Sequence, residues 1–254
     1  MRFLKQFLYG GALLLMIAVI AFLINKNSLF TAPTCTDGIQ NQGEDGIDCG
    51  AVCGISCEQK YLKDLTYSNA RIIQVKDSIA VYFDLVNSNP NFGLKDFKYQ
   101  IDIYGFAGKL LRSVTGDSFV YPGEAKKIVE AGIKILGQAE SVKISFSGVD
   151  WQPSSAFRSI KLENVNAKLS KEGDFFVITG TIRNTYNFTV PRVVINGFIT
   201  DKGGDVLGVS KTEIDQLQSF EAAEQSYKVF VQISSDLENS VDFSNPLTYI
   251  YPIY

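Results

Sequence analysis

The chain contains no histidine. That absence removes Ser-His and Cys-His nucleophile pairs, HExxH zinc sites and imidazole proton shuttles. No Gly-x-Gly occurs, so neither a dinucleotide fingerprint nor a kinase-type glycine loop can form. No Gly-Lys-Ser/Thr triplet occurs, and no serine lies three residues ahead of a lysine. A P-loop and S-x-x-K chemistry are thereby excluded. Positive charge is scarce: 24 Lys and Arg stand against 27 Asp and Glu, for a net charge of −3, with no basic run. Phosphate-backbone binding needs clustered cations, so nucleic acid is not expected as a partner. Paired carboxylates stay open as catalytic groups, because any acid-bearing chain can supply them.

What the chain does have is one long uncharged run. No residue from Gln6 to Asn25 is charged, and Phe7 to Ile24 is almost unbroken apolar sequence. At ~1.5 Å per residue a helix of that length approaches the ~30 Å hydrocarbon core of a bilayer. A helix also satisfies its own backbone in lipid. Arg2 and Lys5 precede the run, Lys26 follows it, and the next basic residue is Lys60. This bias places the N-terminus in the cytoplasm and the body outside, periplasmic or extracellular. The competing reading is a cleaved signal peptide. Its best cleavage position falls after Ala32, where Pro33 follows and disfavours cleavage. A retained anchor over residues 1–30 is expected.

All four cysteines, Cys35, Cys49, Cys53 and Cys57, lie within 23 residues. An even count in a short Gly-rich segment just outside a membrane helix reads as two disulfides, with three pairings possible. Spacings of 13, 3 and 3 intervening residues match zinc knuckles poorly. This neck, residues 31–58, is acidic: Asp37, Asn41, Glu44, Asp45 and Asp48 share one loop with no basic residue. Asp37, Asn41, Glu44 and Asp48 are candidate ligands for calcium, which favours hard oxygens on a tight loop. A solvated acidic turn pinned by disulfides is the alternative. The string from Cys35 to Cys57, C-x-D-G-I-x-N-Q-x-E-x-G-I-D-C-G-x-x-C, resembles a cysteine motif that follows the anchor of bacterial envelope proteins. Those proteins typically carry Cys-Gly-Gly where this chain has Cys49-Gly-Ala. The resemblance implies a location and no chemistry.

Beyond Cys57 the hydrophobic period becomes two. Ile79–Val86, Phe97–Tyr104, Phe175–Ile182 and Val193–Thr200 alternate, with β-branched and aromatic residues, and Gly, Pro and Asn punctuate the gaps. The pattern predicts an all-β fold of sandwiches. A shift of 96 residues aligns Val81 with Val177, Leu94 with Val190, Phe97 with Val193, Tyr99 with Ile195, Ile103 with Ile199, Gly108 with Gly204 and Leu111 with Leu207. Asn87 and Asn184 agree with a one-residue slip. Two sandwiches are therefore expected, over 59–154 and 155–254, with Trp151-Gln-Pro153 at the junction. Glu124–Leu136 contains good helix formers, but Pro122-Gly123 and Gly132 favour a strand at about 126–131 and a bend. The tail Thr248–Tyr254 alternates aromatics and reads as a last strand. Each half resembles the FxLYD type of Ig-like domain, and more loosely the LEA-type sandwich. The carrying residues are Val177-x-x-Gly-Thr-Ile-Arg-Asn184 and Ile195-x-Gly-Phe-Ile-Thr-Asp201-x-x-Gly204, with Ile103-Tyr-Gly-Phe106 in the first half. The resemblance implies a binding or spacer domain without catalytic residues.

The resulting expectation is a non-enzymatic, single-pass envelope protein with no cofactor, calcium in the neck being the one candidate. It would present tandem sandwiches to a protein or glycan partner for binding, adhesion or scaffolding. An accessory subunit of an envelope assembly or transport machine is the alternative, and a carboxylate- or metal-dependent enzyme a remote one.

Overall fold

The computed structural model describes residues 2–30, 34–75, 78–219 and 224–253; the Ala32 cleavage position and the terminal Tyr254 lie outside them. The chain divides into two compact units, Met1–Leu62 and Lys63–Tyr254.

The first unit opens with one continuous helix, α1 (Arg2–Phe30). Its stretch Lys5–Leu23 is long and apolar enough to cross a membrane, and none of that stretch is buried within the protein. Phe7, Leu8, Tyr9, Leu14, Leu15 and Phe22 are all exposed. An apolar surface on all sides suits a lipid surround rather than one face of a globular core. The neck that follows contains a 3₁₀ turn, Ala51–Cys53, and a single helical turn, α2 (Cys57–Lys60). Two disulfides cross-link it in an interleaved pattern, Cys35–Cys53 and Cys49–Cys57. No cysteine is free, so no thiolate is left for the zinc alternative.

The second unit is built of strands. Its first half comprises β1 (Thr66–Val75), β2 (Ser78–Val86), β3 (Phe92–Tyr104), β4 (Leu110–Val120), β5 (Ala125–Lys134) and β6 (Ser141–Ser147). A two-residue strand, β7 (Gln152–Pro153), adds to the start of β3. The second half comprises β8 (Glu163–Glu172), β9 (Phe175–Arg183), β10 (Val190–Thr200), β11 (Val206–Leu217), β12 (Glu224–Val231) and β13 (Leu247–Ile253). The sheets are β1-β2-β5 with β4-β3-β6, and β8-β9-β12 with β11-β10-β13. Writing β8 to β13 for β1 to β6 in order converts the first pair of sheets into the second. The expected strand at 126–131 is β5, and the tail is β13, paired with β10. Gly132 has φ +69 and sits with Ala131 opposite Ala80, where the β2–β5 register shifts. It is a bulge in a position that favours glycine.

Each half has its own core. Ile79, Val81, Phe83, Leu85, Phe97, Ile101 and Ile103 fill the first; Phe176, Ile178, Ile182, Val193, Ile195 and Ile199 fill the second. From β3 and β10 onward the 96-residue shift holds, since Leu94/Val190, Phe97/Val193, Tyr99/Ile195 and Ile103/Ile199 are core pairs. In β2 and β9 it does not: Val81 is in its core cluster, and its counterpart there is Ile178, not Val177. The shift is 97 up to the β2–β3 and β9–β10 turns and drops to 96 across them.

Two asparagines explain that step. Asn87 and Asn184 are both buried. The amide of Asn87 donates to the carbonyls of Phe92 and Tyr121, and its Oδ1 accepts from Asn89 N. The amide of Asn184 donates to Phe188 and Gln218, and its Oδ1 accepts from Tyr186 N. Each side chain replaces missing backbone partners in a buried turn. The second turn reaches its carbonyl after four residues and the first after five, which is the one-residue slip. Asn69 and Asn166, also 97 apart, carry the matching positive φ at a bulge in β1 and β8.

The two halves pack face to face within this unit. A third cluster joins Ala80 and Val129 of the outer β1-β2-β5 face to Phe198 and Val209 of the β11-β10-β13 face. Phe198 stands edge-on to Tyr82 and to Tyr249, each with ring centroids 5.3 Å apart. All residues of the three clusters lie within Lys63–Tyr254, so this unit carries its own complete core.

Candidate functional site

The acidic neck loop gathers the four residues suggested as calcium ligands, and its three carboxylates already accept hydrogen bonds. Asp37 accepts from Thr34 Oγ1 at 2.6 Å, Ile39 N at 2.9 Å and Asn41 Nδ2 at 3.0 Å. The Thr34 hydroxyl is the main cause holding its carboxyl below the usual range. Glu44 Oε2 accepts from the backbone of Asn41 and Asp48. Asp48 accepts from Gly38 N at 3.1 Å and pairs with Lys60 Nζ at 3.0 Å. The loop thus closes itself with the groups that calcium would need. An ion there would have to displace Lys60 from Asp48 and backbone amides from Glu44. Asn41 Oδ1 and Gln42 Oε1 are buried with no partner among the described residues, and Glu44 Oε1 faces only the disulfide sulfur of Cys53.

The glycines of the motif have equally local roles. A Cβ on Gly46 would meet both Cys49 Sγ and Cys57 Sγ at 2.9 Å, and one on Gly50 would meet Asp45 Oδ2 at 2.6 Å. The motif therefore reads as the wiring of a small cross-linked knot.

A second cluster, which the sequence reading missed, lies where the two sandwiches meet. β5 is the edge strand of its sheet, and the other sandwich covers that edge with side chains. Tyr251 Oη accepts from Lys127 N at 2.8 Å, and Asn196 Nδ2 donates to Lys127 O at 2.8 Å. The Tyr121 hydroxyl donates to Pro252 O at 3.1 Å. An edge strand left open would invite pairing with another chain. Charged groups ring the junction: Lys211 pairs with Glu130 at 2.9 Å, and Arg192 bridges Asp117 at 3.1 Å and Glu213 at 2.8 Å. Glu130 also accepts from the Tyr99 hydroxyl. Burial first, and then Glu130, raise the pKa of that phenol far above its ordinary value.

These groups line a small, partly open cavity of about 30 Å³ whose walls include Tyr99, Lys126, Arg192, Asn196, Glu213 and Tyr251. Its size suits a single water. Lys126 is buried, with its ammonium 3.3 Å from the Phe119 ring centroid. Burial lowers its pKa from 10.5 to about 7. Asn196 is buried as well, and its Oδ1 has no protein partner. The cavity has room for neither a cofactor nor a metabolite, and its carboxylates are tied to cations. Its chemistry is that of a polar seam between two halves. The chain matches no protein-family model and no curated protein.

Proposed function

We propose that this chain is a single-pass membrane-anchored envelope protein, with its N-terminus in the cytoplasm and its disulfide neck and double sandwich outside. The observation that carries the reading is the exposed, all-round apolar stretch Lys5–Leu23 followed directly by two disulfides. Such bonds persist in oxidising compartments, and the flanking charge favours the same orientation. We read the body as two copies of one Ig-like unit. Their common strand order and matching asparagines support this. Its role in the proposal is binding or scaffolding at the surface, toward a protein or glycan, without catalysis. The tying of Glu130, Asp117 and Glu213 to Lys211 and Arg192 supports that last point.

The test is membrane-impermeant thiol labelling of intact cells after mild reduction. Labelling of Cys35, Cys49, Cys53 and Cys57 from outside is expected. Labelling only after lysis would overturn the orientation, and recovery of the chain in the soluble fraction would overturn the anchor.

A further inference from the structure

The two sandwiches share a topology but end differently. At the end of the first sandwich away from chain entry, the β3–β4 turn and the β5–β6 loop lie side by side. Glu140 N donates to Tyr104 O at 2.8 Å, and a Cβ on Gly105 would meet Gln138 O at 2.9 Å. These loops hold their large apolar side chains out to solvent: Leu136 is 94% exposed, Phe106 82% and Leu110 51%. The turn is shaped to present them, because Ala107 and Gly108 both have positive φ and Gly105 N bonds Lys109 O. Lys109, Arg112 and Lys134 lie within two residues of Leu110 or Leu136 in the chain, are exposed, and form no ion pair with a described residue. Of the acids nearby, Asp102 is held by Ser113 and Gln100, and Glu140 lies at the base of the loop.

The matching turn of the second sandwich is Asp201-Lys-Gly-Gly-Asp205, closed by Asp201 Oδ1 accepting from Gly203 N and Asp205 N. It presents no apolar residue. The β12–β13 loop beside it exposes Phe243 (51%) and Leu237 (36%), so both halves carry apolar side chains at this end, and the most exposed ones, Leu136 and Phe106, belong to the first.

We infer that this tip is a second membrane contact, docking on a lipid bilayer that carries anionic headgroups. Phe106 and Leu136 are almost wholly exposed, as side chains that enter a lipid surface must be. Apolar side chains at a protruding tip can enter the boundary between headgroups and acyl chains, while flanking cations meet the negative surface. β1 spans ten residues between chain entry and this end, about 33 Å at the rise of a strand. The inference goes beyond the anchored reading and does not depend on it, because the contact lies wholly in the unit Lys63–Tyr254.

The experiment uses that unit, which carries its own core, in co-sedimentation with phosphatidylcholine vesicles with and without phosphatidylglycerol. Binding to the anionic vesicles is expected, weakening with added salt. The double variant F106S/L136S should lose at least tenfold in affinity, since burying each large apolar side chain is worth about tenfold or more. K109Q should lose about fivefold, since each cation near an anionic surface contributes about that factor. Both variants change exposed side chains and should keep the unfolding midpoint of the parent. Absence of vesicle binding, or binding that F106S/L136S leaves unchanged, would overturn the inference. So would self-association that the double variant abolishes without any vesicle binding, which would make the tip a protein contact. None of these outcomes bears on the orientation test, so the two ideas fail separately.

Discussion

β3 and β10 occupy the same place in two sandwiches of identical strand order, yet they carry opposite outer faces. On β3 the outward residues are Lys98, Gln100 and Asp102; 96 positions later, on β10, they are Val194, Asn196 and Phe198. Lys98 and Gln100 are exposed, whereas Asn196 and Phe198 are buried under the neighbouring sandwich. The inward faces hardly differ, with Phe97, Tyr99 and Ile103 in one and Val193, Ile195 and Ile199 in the other. Inward residues therefore define the shared fold, and outward residues decide what each copy touches. Here the outer face of β10 has become glue, while that of β3 stays wet.

The largest effect should come from breaking that glue. Phe198 packs between Tyr82 and Tyr249 in the cluster that joins the halves. Phe198→Ala should cost about 3–5 kcal/mol, the usual range for emptying a buried aromatic site. Both sandwich cores would stay intact, so the loss should appear as uncoupling. Urea unfolding of Lys63–Tyr254 should change from one transition to two. A single transition at an unchanged midpoint would show that the joining cluster contributes little.

A second comparison sharpens the likeness instead of the difference. Asn87→Ala and Asn184→Ala each remove a buried amide that donates to at least two backbone carbonyls. Each should cost about 2–3 kcal/mol, since stranded buried polar groups are expensive. The two losses should agree within about 1 kcal/mol if the turns are equivalent devices. Thermal unfolding of the two variants measures this directly. A large loss at one site and none at the other would mean that the matching hydrogen bonds are not matched in energy.

Much of this was legible in the residues. β3 reads Phe97-Lys-Tyr-Gln-Ile-Asp-Ile103, strict alternation, and it is a strand with one wet face. Pro122-Gly123 and Gly132 favour a strand over a helix, but the bend expected at Gly132 is a bulge inside β5, which runs on to Lys134. The packing between sandwiches was harder to see, although it left a trace. Val193-Val-Ile and Gly197-Phe-Ile break alternation toward apolar on both faces, as a strand buried on two sides should. The disulfide pairing was beyond reach, because spacing does not select among three connectivities. The seam at β5 was equally hidden. Lys126, Lys127 and Tyr251 are ordinary surface residues until a fold places another domain over them. The acidic residues of the neck left both a calcium site and a solvated turn open. In the structure its carboxylates cap backbone amides and pair with Lys60, a use that composition cannot distinguish from metal binding.

The smallest effect, and the one with a sign to check, concerns Lys126. It stands opposite Leu85 in β2, as Gln225 stands opposite Ile182 in β9. Gln225 is exposed, whereas Lys126 is closed over at the junction, with Tyr251 of the second sandwich beside it. Burial lowers the lysine's folded pKa to about 7, from 10.5. Between those values the unfolded chain holds the extra proton, so stability should rise with pH across that window. Below about pH 7 the ammonium is charged in both states, and its burial cost is felt in full. The Phe119 ring beneath it offsets part of that cost. Lys126→Met keeps the length of the side chain and removes the charge. It should stabilise the unit by about 1–2 kcal/mol near pH 6, in line with replacing buried charge by apolar volume. The gain should shrink toward zero as the pH approaches about 10. Urea unfolding of parent and variant at intervals across this range reads the difference. A gain independent of pH would mean that packing alone is responsible. A loss at every pH would mean that the cation over the Phe119 ring holds the junction together, and that the cost assigned to its burial is wrong.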